Sequence, residues 1–128
     1  SMYNTPPCYT IYMAMLVLDW LKNTIGGLDE MKKINEKKAG MLYGFLDASK
    51  LFRGTVEPQD RSLMNVPFVT GDEELDKKFV KAAEAEGFVN LKGHRSVGAM
   101  RDSIYNAMPT EGVDKLVAFM EKFEKENA

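Results

Sequence analysis

The sequence is poor in the residues on which most nucleophilic and metal chemistry depends. It holds one cysteine, one histidine and one tryptophan in 128 residues. A lone cysteine, Cys8, excludes an intrachain disulfide and leaves no CxxC or Cys/His cluster for zinc, so no metal site is expected and the expected setting is a reducing cytoplasm. Cys8 itself is expected to act as a small buried hydrophobe. His94 stands among cations and far from Cys8 in sequence, so no nucleophile–base pair is evident. No GxGxxG or P-loop spacing occurs. The apolar run from Ile11 to Leu18 is interrupted by Asp19, too short for a spanning helix of about 20 residues, and no basic segment precedes it as in a signal peptide. A soluble chain without a membrane partner is expected. Charge of one sign is also lacking: 17 Lys and Arg face 19 Asp and Glu, a formal net charge of −2. That balance gives no field to draw the chain onto nucleic acid, so any anion site must be local.

What is present is the balance of a globular domain, with 45% hydrophobic and 28% charged residues. The length suits one domain, spanning residues 1–128. Ser1 ahead of Met2 has the form of a residue left by tag removal. Pro6 and Pro7 hold the start extended. From about Cys8 to Ile25 a helix is expected whose apolar residues (Ile11, Met13, Met15, Leu16, Val17, Leu18, Trp20, Leu21) run nearly all the way round, so that it needs cover on most sides. Gly26-Gly27 ends it. A second helix is expected from about Leu28 to Ala48, with Met31, Ile34, Met41, Leu42, Phe45 and Leu46 on one side and Lys32, Lys33, Glu36 and Lys37 in solvent.

A short strand at Leu51 to Arg53 and a longer one from about Ser62 to Val69 come next, and Pro67 argues for an edge position or a bulge in the latter. Thr70-x-x-Glu73 has the form of a capping box, predicting a helix from about Asp72 to Glu86 that stops at Gly87. Phe88 to Lys92 and Ala99 to Tyr105 are predicted to pair as a hairpin around a loop from Gly93 to Gly98. Pro109-Thr110 opens a last helix to about Glu126. The order ααβαββα reads as a two-layer α+β domain, a small mostly antiparallel sheet with helices on one face, preceded by the long apolar N-terminal helix.

The stretch "LKGHRSVGAMR" gathers His94, Arg95 and Arg101. An arginine fork bonds a carboxylate or phosphate in bidentate fashion and a histidine can donate to the same anion, so the three suit an anion-binding surface. The competing structural reading is a solvent-facing loop with Arg101 paired to Asp102. Asn4 and Thr5, an amide and a hydroxyl on a rigid extended segment, suit contact with an oxyanion. No catalytic apparatus accompanies them.

Taken together and in this order, "NTPP", "RSLMNVPF", "LKGHRSVGAMR" and "SIYNAMPTEGV" resemble the C-terminal part of the phosphoserine aminotransferase family, from Asn4 to the end of the chain. The resemblance implies the small domain of a fold type I pyridoxal phosphate enzyme together with its connecting helix at about 8–25. The family converts 3-phosphohydroxypyruvate and L-glutamate to O-phospho-L-serine and 2-oxoglutarate, in serine and in many bacteria pyridoxine biosynthesis, as a cytoplasmic homodimer. Carried over residue by residue, it implies that Arg101 grips the substrate carboxylate and that His94 and Arg95 bind the substrate phosphate. Asn4 and Thr5 would reach the phosphate of the partner subunit's cofactor. Three positions depart from the family pattern: Ala99 and Asp102, where it often has glycine and alanine, and Cys8, where threonine is common. No lysine here matches the motif of the lysine that forms the Schiff base with the cofactor, so the chain is expected to be a fragment, without bound cofactor or catalytic residue and inactive alone. The alternatives from other classes are a stand-alone module that binds a small phosphorylated acid, and an interaction domain that docks through its apolar helix.

Overall fold

The computed structural model describes residues 3–93 and 99–127. They form an α+β arrangement with a three-stranded antiparallel sheet and four α-helices. The chain divides into two compact units, Ser1–Ile34 and Asn35–Ala128.

In the first unit, α1 (Cys8–Asp19) is an α-helix of 12 residues continued by a π-helical segment, Trp20–Ile25. The run expected as one helix is thus two kinds of helix in succession. Gly26 and Gly27 end it with φ of 97° and 107°, a left-handed conformation that side chains with a Cβ rarely adopt. No residue of α1 is buried, and Cys8 is exposed at its first turn, which corrects the expectation of a buried thiol. Position, not chemistry, decides this: Cys8 is the first residue of a helix with no buried side. No helix among the described residues is long and apolar enough to cross a membrane.

Helix α2 (Leu28–Ala48) has the bounds expected of it and begins in the first unit. In the second unit its residues Ala39, Leu42, Tyr43 and Leu46 join a core shared with Phe79 and Ala83 of α3 (Glu73–Ala85) and Val113, Leu116, Met120 and Phe123 of α4 (Thr110–Asn127). The sheet adds Val66 and Phe68 of β2 (Asn65–Val69) and Met100 of β3 (Met100–Ser103). Phe52 and Phe79 lie at the centre, with ring centroids 5.1 Å apart and nearly edge to face, the arrangement aromatic quadrupoles prefer.

Four expectations need correction. The strand expected at Leu51 to Arg53 is the two-residue β1 (Arg53–Gly54), pairing with Val69 and Phe68. The Phe88–Lys92 strand is reduced to one bridge between Lys92 and Met100 and a hydrogen bond from the Arg101 amide to the Leu91 carbonyl at 2.8 Å. Its interruption is Asn90, whose φ of 64° is left-handed and breaks an extended run. The cap of α3 is Asp72, not Thr70. The Asp72 carboxylate accepts from the Glu74 and Leu75 amides, while Thr70 donates its hydroxyl and its amide to Asp76.

The fourth concerns Pro67, which lies in the central strand of the order β1-β2-β3, not at an edge. Its carbonyl accepts from the Thr55 amide at 3.3 Å, on the β1 side. The amide and carbonyl of one strand residue point the same way, so the missing N–H also falls on that side, beyond the end of β1. Toward β3, Pro67 faces Arg101 at a position where no ladder hydrogen bond is required.

Candidate functional site

The sheet has two unlike faces. Val66, Phe68 and Met100 point into the core, and the residues between them (Asn65, Pro67, Arg101 and Ser103) occupy the opposite face. Arg101 is therefore exposed, with its main chain fixed from two directions: the register opposite Pro67 and the hydrogen bond to Leu91. Among the described residues no side chain pairs with its guanidinium, and the expected alternative of an ion pair with Asp102 is not formed. Strand alternation explains why, since Asp102 lies on the core-facing side. Arg53 of β1 shares the outer face and is likewise exposed, a second guanidinium that sequence reasoning passed over because it ended the strand there.

Asp102 lines a cavity of about 200 Å³ together with Phe88, Val89, Leu91, Met108 and Leu116 among others. Burial beside these apolar walls raises its carboxyl above the ordinary value, against a smaller lowering by the Ser103 amide. A larger cleft of about 430 Å³ lies along α3, lined by Glu73, Lys77, Lys81 and Glu84, with Gly93 and Ala99 at its other wall. Gly93 has a specific reason to be glycine: a methyl group there would collide with the Ala99 carbonyl.

His94 and Arg95 lie outside the described residues. Arg101 stands on β3 in the second unit, while Asn4 and Thr5 are exposed in the bend that precedes α1 in the first. Arg101, Asn4 and Thr5 line neither of the two cavities. Among the described residues, no group of three or more His, Cys, Asp or Glu side chains is arranged to hold a metal ion.

The residue that sequence reasoning missed altogether is Lys38. It is fully buried, at 0% exposure, and its Nζ donates to the carbonyls of Ile104, Tyr105, Asn106 and Met108 at 3.2, 2.9, 3.3 and 2.9 Å. Burial lowers its pKa, yet the acceptors favour the ammonium, which offers three N–H groups where the amine offers two. Beside it the Asn35 amide donates to the Asn106 side chain at 2.8 Å. The signal was present: Met31, Asn35, Lys38, Leu42 and Leu46 are spaced by three and four, which places Lys38 in the buried stripe.

Comparison with known proteins gives this geometry a family. The model of the class-V aminotransferases matches residues 1–116, and the chain belongs to that family. Within it, the chain is similar to phosphoserine aminotransferases: it is 60% identical to that of Listeria monocytogenes over 123 residues, covering 96% of this chain and 34% of the relative. It is 54% identical to that of Streptococcus thermophilus, over 99% of the chain and 35% of the relative. Among solved structures, the phosphoserine aminotransferase of Bacillus circulans subsp. alkalophilus superposes with a TM-score of 0.94 at 50% identity, over all of this chain and 36% of that one. The pyridoxal phosphate-bound phosphoserine aminotransferase of Trichomonas vaginalis does so with 0.85 at 40% identity, over 94% of this chain and 34% of that one. The chain spans about a third of the length of these relatives.

Proposed function

We propose that the chain is the C-terminal, small-domain portion of a phosphoserine transaminase that acts in the cytoplasm as a homodimer. The complete enzyme converts 3-phosphohydroxypyruvate and L-glutamate to O-phospho-L-serine and 2-oxoglutarate. In this reading the portion supplies substrate contacts: Arg101 holds a substrate carboxylate, and His94 and Arg95 hold the substrate phosphate. The observation that carries it is the Arg101 guanidinium, exposed and without a pairing side chain among the described residues, on a strand whose backbone is fixed from both sides. A planar fork with five donors, exposed on a paired strand, suits a carboxylate in bidentate fashion.

The side chains present fit pyridoxal phosphate in part. The Asn4 amide and Thr5 hydroxyl are exposed donors suited to phosphate oxygens, and in this reading they serve the partner subunit's cofactor. Covalent attachment finds no candidate among the buried lysines, because Lys38 alone is buried among the described residues and four carbonyls enclose its Nζ. When bound, the cofactor supplies the electron sink of transamination; the residues here bind and orient the substrate.

The test is Arg101→Ala in the complete enzyme, measured by steady-state kinetics. KM for both glutamate and phosphohydroxypyruvate is expected to rise about 10- to 100-fold, the worth of one charge-assisted contact. Unchanged KM for both substrates would overturn the assignment. Treated alone with pyridoxal phosphate and borohydride, the chain is expected to give no single labelled lysine by mass spectrometry.

A further inference from the structure

Lys38 lies on α2, far in sequence from the strand that carries Arg101, yet its ammonium gathers the carbonyls of the segment that leaves that strand. Ile104, Tyr105, Asn106 and Met108 all turn their oxygens toward one Nζ, within 2.9–3.3 Å. This segment must reverse from β3 into α4, which begins at Thr110, and no regular ladder or helix takes up these oxygens. A fully buried cation is costly unless its donors are met, and the carbonyl of buried Ile104, with the part-buried ones of Tyr105, Asn106 and Met108, meets them. The ammonium in turn draws the four carbonyls of this reversal to one point. Asn35, one turn before Lys38, adds a second tie by donating to Asn106 at 2.8 Å.

The consequence reaches Arg101 through the main chain. Ile104 donates its amide to the Met64 carbonyl at 2.9 Å and yields its carbonyl to Lys38, so the end of β3 is held by the sheet on one side and by α2 on the other. Arg101 is three residues upstream. With Asp102 facing the core and Arg101 facing away, any rotation of this short strand about its axis swings the guanidinium off its line. β3 has only four residues, and among the described residues its far side is secured by the Leu91 and Lys92 contacts. Pairing with β2 sets which way each residue faces, and in so short a strand the hold on its end sets how finely that facing is kept.

We infer that Lys38 is a positioning residue for Arg101, aiming the guanidinium by clamping the carbonyls that follow β3. This rests on the proposed function, in which Arg101 binds a substrate carboxylate. Bidentate geometry makes that contact sensitive to aim, since displacements near an ångström can lower rates many-fold.

The experiment is a double-mutant cycle in the complete enzyme with Lys38→Met and Arg101→Ala, read as KM and kcat for glutamate and for phosphohydroxypyruvate. Lys38→Met is expected to raise KM about ten-fold, with a smaller fall in kcat. In the Arg101→Ala background the same substitution is expected to change KM less than about two-fold, because nothing remains to be aimed. Lys38→Arg, which keeps the charge but spreads its donors in a plane, is expected to recover stability better than it recovers KM. A lowered Tm with KM unchanged in Lys38→Met would overturn the inference, as would an equal rise in KM with and without Arg101. Should Lys38→Met fail to fold, Lys38→Arg takes its place in the cycle, and the same two outcomes would overturn the inference. If Arg101→Ala itself leaves KM unchanged, the carboxylate assignment fails first; if it raises KM while the Lys38 variants do not, the assignment stands and only the positioning role falls.

Discussion

Helix α1 is denser in apolar residues than α4, yet α4 buries Val113, Leu116, Met120 and Phe123 and α1 buries nothing. The difference lies in pattern more than in content. In α4 the apolar residues recur by three and four and form one stripe, with Asp114, Lys115, Glu121 and Lys122 on the other side. In α1, Ile11, Tyr12, Met13, Met15, Leu16, Val17 and Leu18 follow one another around the axis, so no single contact could cover them all. A stripe commits a helix to one neighbour, whereas a continuous apolar surface asks for several. Among the described residues, the stripe of α4 is buried and no residue of α1 is.

Four substitutions test that contrast through chemical unfolding of the chain followed by circular dichroism. Phe79→Ala should cost most, about 3–5 kcal/mol, because its ring is fully buried against Phe52 and Phe123 with centroids 5.1 Å from each. Glu124→Ala comes next at about 1–2 kcal/mol. Its carboxylate, at the margin of the buried stripe of α4, accepts from the Ser49 hydroxyl and from the Lys50 and Leu51 amides just beyond α2. Although burial works against the ionised form, these hydrogen bonds hold its pKa below the ordinary value, so the contribution should fade as pH falls through the carboxylate range.

Asp102→Asn should act in the opposite sense. Burial raises the Asp102 carboxyl, so the folded chain binds the proton more tightly than the unfolded one, and stability falls as pH rises from the ordinary value of 3.8 through the raised one. The amide variant should melt a few degrees higher than the parent at neutral pH, and the two should converge in acid below that value. A gap that persists in acid would show that charge is not its cause. The smallest effect belongs to Leu18→Lys on α1, within about 0.5 kcal/mol, since Leu18 is 63% exposed. A loss approaching that of Phe79→Ala would mean that α1 is covered in solution as thoroughly as α4, and the contrast would collapse.

Much of the fold was legible because periodicity reports on burial. Leu28 to Ala48 and the helix after Pro109 carry a regular stripe and a clean start or stop, and both are found within a residue of their expected bounds. What escaped were features that depend on partners distant in sequence. Nothing near Asn90 announces a left-handed residue that cuts a strand short. Thr70-x-x-Glu73 matched a cap by spacing, but Asp72 is the better acceptor and the third residue ahead of it lies in β2. Lys38 was hidden by its charge, for a lysine is ordinarily read as solvent-facing, and the carbonyls that admit it to the core lie some seventy residues away. Arg101 was read from the sequence as either an anion contact or the partner of Asp102, and only the register places it on the open face and Asp102 on the closed one.

That register has a guard in Pro67. Were β2 turned over, Val66 and Phe68 would face water, and the proline nitrogen would point at β3, deleting a ladder bond where one is needed. In the native facing the same nitrogen points past the end of β1, where its silence costs nothing. The imino acid thus makes the two facings of the central strand unequal before any side chain is counted, by about 1 kcal/mol for the lost bond. It acts as a key in a lock that accepts the strand one way round, and the face it selects is the one on which a guanidinium meets solvent.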